Sequence, residues 1–112
     1  MTSPLDASAA GGTAVDAAEA VRRVQAGEAW LLDVREPYEW QDGHAAAAHH
    51  IPMNDLAARQ DEIPSDEPIL VICHLGQRSH LVTDALRRAG YPAANVRGGM
   101  DAWLAAGGDV TS

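Results

Sequence analysis

Ile69-Leu70-Val71-Ile72-Cys73-His74-Leu75-Gly76-Gln77-Arg78-Ser79 places four consecutive aliphatic residues directly before the only cysteine of the chain. The aliphatic run is continuous and β-branched, which suits a central strand of a parallel sheet buried on both faces. After the cysteine, Gly76 marks a turn. Leu81, Val82, Ala85, Leu86 and Ala89 then recur at helical spacing, with Gly90 as the stop. A strand that ends in a thiol and turns into a helix puts the sulfur at the positive end of the helix dipole.

A free cysteine is only a few per cent thiolate at neutral pH, and the thiolate is the nucleophile. Half ionisation requires a shift of about 1.5 pH units, or roughly 2 kcal/mol in favour of the anion. A helix terminus supplies about 0.3–1 kcal/mol. Backbone NH groups and a nearby cation must therefore contribute. Gly76 permits the loop to curl, Arg78 supplies charge, His74 and Gln77 are further donors, and Ser79 can cap the helix or donate to a bound anion. Taken alone, these residues leave Cys73 as either a buried filler or a reactive thiol.

The chain has 112 residues, the size of one domain able to bury its own core. A single cysteine excludes an internal disulfide and any cysteine-ligated cluster. Sixteen acidic against eight basic residues give a formal charge of −8, which opposes binding to nucleic acid or an anionic membrane. All eight basic residues are arginine, so Schiff-base chemistry and a lysine-bearing phosphate loop are excluded. No apolar stretch approaches the roughly 20 residues of a membrane span. The first residues carry neither basic charge nor an apolar core, so no secretory signal is expected and the location is expected to be cytoplasmic.

Residues 1–12, small and polar and ending in Gly11 and Gly12, are expected to form a mobile tail, with one domain over 13–112. Asp16 and Glu19 have the spacing of a capping box before a helix ending near Gly27. Trp30 to Val34 reads as a buried strand interrupted by Asp33, and Pro37 as the start of a helix to about Asp42. Ile51-Pro52 is expected to be a brief strand and Asn54 the cap of a short helix through Asp61. A strand near Asn95 to Arg97 and a helix from Gly99 to about Ala106 follow. This alternation predicts a parallel α/β sheet with helices on both faces.

Asp33 needs a partner if buried, and Arg35 or loop NH groups are available. Arg35 and Glu39 lie four apart and are expected to pair. His44, His49, His50 and His74 with Cys73 match no zinc-ligand spacing, so no metal is expected. Trp30, Trp40 and Trp103 are expected in the core or its rim. Gly98 and Gly99 are expected to allow close backbone approach.

Four segments in order resemble the single-domain rhodanese family. Leu31 to Trp40, containing Asp33-Val34-Arg35, is similar to the family's Asp-Val-Arg segment and the acidic-aromatic helix after it. Gly43-His44, Ala48 and Ile51-Pro52 are similar to its Gly-His-Ile-Pro-Gly-Ala-x-Asn-Ile-Pro stretch. Cys73 to Ser79 is similar to its active-site loop, and Val96 to Trp103 to its closing Gly-Gly signature. Two departures stand out. Ala45, Ala46 and Ala47 replace Ile-Pro-Gly and His50 replaces the asparagine before Ile-Pro, so that turn is expected to be reshaped or more helical, and His74 replaces a common arginine.

The resemblance implies a rhodanese-like fold, a five-stranded parallel sheet flanked by helices on both faces. It implies a sulfurtransferase in which Cys73 accepts a sulfane sulfur from a small anionic donor such as thiosulfate or polysulfide. The persulfide then passes it to a thiol, cyanide or protein acceptor, without a cofactor. The loop His74, Leu75, Gly76, Gln77, Arg78 and Ser79 would bind the anion, with Asp33, Arg35 and His44 in support. Related cysteine phosphatases place five residues between cysteine and arginine; here four separate Cys73 from Arg78, which points to sulfur over phosphate. The alternative is a non-catalytic sulfur carrier or partner-binding module. A histidine is charged only when protonated, so transfer is expected to strengthen as His74 protonates, a titration that His74→Ala should remove.

Overall fold

Residues 14–112 are described by a computed structural model, in which Ile69–Ile72 (β5) is the middle strand of a five-stranded parallel sheet. Trp30–Asp33 (β2) pairs with one side of β5 and Ala93–Val96 (β6) with the other. Ala14–Val15 (β1) pairs with β6 and His49–His50 (β4) with β2, giving the order β1-β6-β5-β2-β4. The expected tail over 1–12 lies outside the described residues.

Alternation along β5 sends successive side chains to opposite faces. Leu70 and Ile72 pack with Leu31, Val96, Met100 and Trp103 beneath the helices Ala17–Gln25 (α1) and Gly99–Ala105 (α5). Ile69, Val71 and then Cys73 point the other way, against Val82 and Leu86 of Gln77–Arg88 (α4) and against Ile51 and Ile63. Each fully buried aliphatic side chain here contributes about 1.5–3 kcal/mol. The period that builds the core thus also aims the sulfur towards α4.

Asp16 caps α1 by accepting the Glu19 NH at 2.8 Å, one half of the expected capping box; the Glu19 carboxylate turns instead to Arg22 and Arg23. The short helix Pro37–Gln41 (α2) opens at its proline. Elsewhere the local readings need correction. The strand expected at Ile51-Pro52 lies at His49–His50: the Ile51 NH still reaches the Asp33 carbonyl at 3.0 Å, but Pro52 has no NH to extend the ladder. Asn54 caps nothing. It lies within a 3-10 turn, Met53–Asp55, anchored by the Met53 NH on the Val34 carbonyl; Leu56–Arg59 (α3) and a second 3-10 turn, Gln60–Glu62, follow.

The alanine stretch is not helical. His44–Ala45 (β3) pairs antiparallel with Val110–Thr111 (β7), and the Ala46 NH continues onto the Asp109 carbonyl at 2.9 Å. The last sheet strand begins two residues earlier than expected, at Ala93. Among the described residues, no helix is long and apolar enough to cross a membrane.

Candidate active site

Cys73 sits where β5 ends and is almost wholly buried, with 1% of its surface exposed. Gly76 takes φ +105° at the N-cap of α4, a conformation that glycine adopts without a Cβ penalty. That turn brings the Gly76 NH to 3.1 Å from the Cys73 sulfur. One turn into α4, the buried Ser79 places its hydroxyl 3.3 Å from the same sulfur. Ser79 is therefore a partner of the thiol, and the N-cap is Gly76.

Burial pushes the Cys73 thiol up, but the Ser79 hydroxyl and the NH groups of Ser79, Gly76 and Arg78 outweigh it and hold the thiol below its ordinary value. The oriented NH groups expected from the sequence are those at the start of α4.

Arg78 is placed differently from expectation. Its guanidinium forms a two-pronged ion pair with Glu39 of α2, at 2.6 and 2.8 Å. Glu39 also accepts the Glu36 NH at 3.0 Å, so one carboxylate closes the start of α2 and ties it to the loop. Arg35 does not pair with Glu39: it grips Asp33 through Nε and Nη2 and donates to the Gly43 carbonyl at 2.8 Å. Arg35 precedes the helix, so the four-residue spacing to Glu39 is not a helical turn. Asp33 is fully buried, and its pairing avoids the cost of an isolated charge.

The Arg78 hydrogen bonds lower the Glu39 carboxyl to about 2, against an ordinary value of 4.5. A depressed carboxyl stabilises the fold above its unfolded value, and this contribution is lost as pH falls from about 4.5 to about 2. With part of the pair exposed, about 2 kcal/mol is expected. Denaturant unfolding of Glu39→Gln should therefore show a stability deficit of about 2 kcal/mol at pH 7 that shrinks towards zero near pH 2.

The remaining expected residues surround this centre without touching the sulfur. His74 is exposed and turns its Nε2 to the Asp101 carboxylate at 3.3 Å. Leu75 is exposed, and Gln77 begins α4. His44 bonds the Trp40 carbonyl through Nδ1 at 2.8 Å, and His50 bonds the Arg35 carbonyl through Nε2 at 2.8 Å. Both imidazoles stack on Trp40, with ring centroids 3.4 and 4.5 Å away, so the histidines of this region shape the wall behind α2.

Gly99 fixes the other side of the loop. At φ +58°, a Cβ there would fall on the carbonyl oxygens of Cys73 and His74, while the Met100 NH donates to the Cys73 carbonyl at 2.8 Å. This is the close approach expected of the glycine pair. A hollow of about 280 Å³ opens beside the loop, lined by Arg35, Glu39, His74, Met100, Asp101 and Leu104 among others. The more apolar hollow between α4 and residues 53–63 is lined by no nucleophile or titratable side chain.

Sequence reasoning missed two residues of the site. The four-residue spacing points Glu39 to Arg35 where its partner is Arg78, and Asn95, a polar residue on the buried strand β6, has a buried amide that demands partners not visible in the local sequence.

The fold coincides with that of known proteins. Residues 16–106 match the rhodanese-like domain, and the chain belongs to that family. It is 38% identical over 77 residues to YqhL of Bacillus subtilis, across 68% of this chain and 61% of that protein, so it spans about three fifths of that relative. It is 38% identical over 76 residues to a second Bacillus subtilis protein, named "Putative sulfurtransferase YtwF", across 68% of this chain and 74% of the relative. The crystal structure of a rhodanese-related protein from Thermoplasma volcanium superposes with a TM-score of 0.81 at 30% identity, covering 88% of this chain and 96% of that one.

Proposed function

We propose that the protein is a sulfurtransferase that carries sulfane sulfur as a persulfide on Cys73. The observation that carries this reading is the sulfur itself, held by the Gly76 NH and the Ser79 hydroxyl, with its thiol lowered despite burial. Family membership and the relative named as a sulfurtransferase support the same chemistry. Four residues between Cys73 and Arg78 favour a sulfur-sized loop over the phosphatase loop.

In the first step the Cys73 thiolate attacks the outer sulfur of a donor such as thiosulfate. A new S–S bond forms, the donor's S–S bond breaks, and sulfite leaves with the electron pair. In the second step cyanide or an acceptor thiolate attacks the outer sulfur of the persulfide and releases the Cys73 thiolate. The NH groups at the start of α4 and Ser79 stabilise the anionic sulfur in both states. Arg78, anchored by Glu39, attracts the thiolate electrostatically. His74, turned to Asp101, lines the hollow beside the loop. The cytoplasm, which keeps thiols reduced, suits this cycle.

The test is transfer from thiosulfate or polysulfide to cyanide and to a small thiol, alongside hydrolysis of a generic phosphate ester. Sulfur transfer without ester hydrolysis is expected. Loading without turnover would make the domain a carrier, and ester hydrolysis dependent on Cys73 would replace the proposal with a phosphatase.

A further inference from the structure

Asn95 joins the two groups that hold the sulfur. It lies on β6, 7% exposed, in register with Val71 of β5. Its Nδ2 faces the Gly76 carbonyl at 3.4 Å, and its Oδ1 accepts from the Ser79 hydroxyl. This orientation of the amide is dictated by the carbonyl, because only the NH₂ end can face it. Gly76 and Ser79 are also the residues whose NH and hydroxyl point at Cys73.

Ser79 has one hydroxyl proton and two acceptors, the Cys73 sulfur and the Asn95 oxygen. With a neutral thiol, the hydroxyl donates to Asn95 and its lone pair can receive the S–H. When the thiol proton leaves to water, the hydroxyl turns to the sulfur anion and the buried Asn95 oxygen loses its donor. We propose that Asn95 is a positioning residue for Cys73: it tethers the Gly76 turn and, by competing for the Ser79 proton, sets how much hydrogen bonding the sulfur anion receives. Of the ionisable groups around the loop, Arg78 is on Glu39 of α2, Arg35 is on Asp33 of β2, His74 is on Asp101 of α5 and His80 is on Asp84 of α4, while Arg97, just past β6, lines the same hollow as Gly76 and Asn95. Among the described residues, no charged side chain hydrogen-bonds Ser79 or Asn95.

The inference rests on Cys73 being the reacting group, but it is tested on the unloaded protein without donor, so it stands or falls independently of sulfur transfer. The measurement is the ultraviolet absorbance of the thiolate as a function of pH. Asn95→Asp, nearly isosteric, draws the Ser79 proton more strongly and adds negative charge, so the Cys73 midpoint should rise by about one unit, a tenfold loss of thiolate at a fixed pH below it. Asn95→Leu removes the competing acceptor. Ser79→Ala should then raise the midpoint more in the Asn95→Leu background than in the native one, whereas a purely structural role for Asn95 would leave the Ser79→Ala effect equal or smaller. An unmoved midpoint in folded Asn95→Asp, or additive effects in the Leu cycle, would overturn the proposal; either folded variant decides it alone.

Discussion

Cys73→Ser is expected to reduce sulfur transfer at least about a thousandfold while leaving the fold intact. A serine hydroxyl is not ionised at neutral pH, and its oxygen cannot form the persulfide. The substituted oxygen would still find the Gly76 NH and the Ser79 hydroxyl, so no buried polar group is orphaned. The loss should therefore appear in kcat at every donor concentration, with the thermal midpoint changed by only a few degrees. Residual turnover within tenfold of the native rate would assign the chemistry to another group.

Gly99→Ala should have the largest effect on stability. A Cβ at this position meets the backbone oxygens of Cys73 and His74, which have no flexible side chain to move aside, at a positive φ that L residues avoid. The combined clash and strain should cost about 3 kcal/mol or more, lowering the thermal midpoint by roughly 15 °C. What remains folded must displace the loop, so the thiolate titration of Cys73 should also broaden or rise. Gly27→Ala is the matched control: its φ is +74°, but nothing lies within 4 Å of the added Cβ. Only the backbone strain should register there, about 1 kcal/mol.

The parts of the fold legible in the sequence are those written in local periodicity. Ile69–Ile72 is continuous and β-branched because β5 is buried on both faces, and Gly76 follows because the turn needs a positive φ. The Asp16 cap is legible for the same reason, since donor and acceptor lie three residues apart. Strands of two residues, such as β1, β3 and β7, carry no period and exist only through their partners. Pairing across the fold was equally hidden. The spacing of Arg35 and Glu39 suggested a helical pair, but the residues straddle the start of α2, so Arg35 folds back on Asp33 and Glu39 reaches Arg78, 39 residues away.

Asn95 shows how a local signal can be present and still be passed over. A lone amide within the apolar run Ala93 to Val96 marks a buried hydrogen-bond demand, but its partners, Ser79 and Gly76, become neighbours only when β6 pairs beside β5. The cysteine and its turn stand out in one segment, whereas the groups packed around them come from α2, β6 and the Gly99 turn.

The central claim is tested most directly by the intact mass of the protein after brief exposure to thiosulfate or polysulfide, followed by peptide mapping. One added sulfur atom on Cys73, released on addition of cyanide, is the predicted result. A protein whose mass is unchanged by every donor, under conditions where the thiolate is formed, would contradict it.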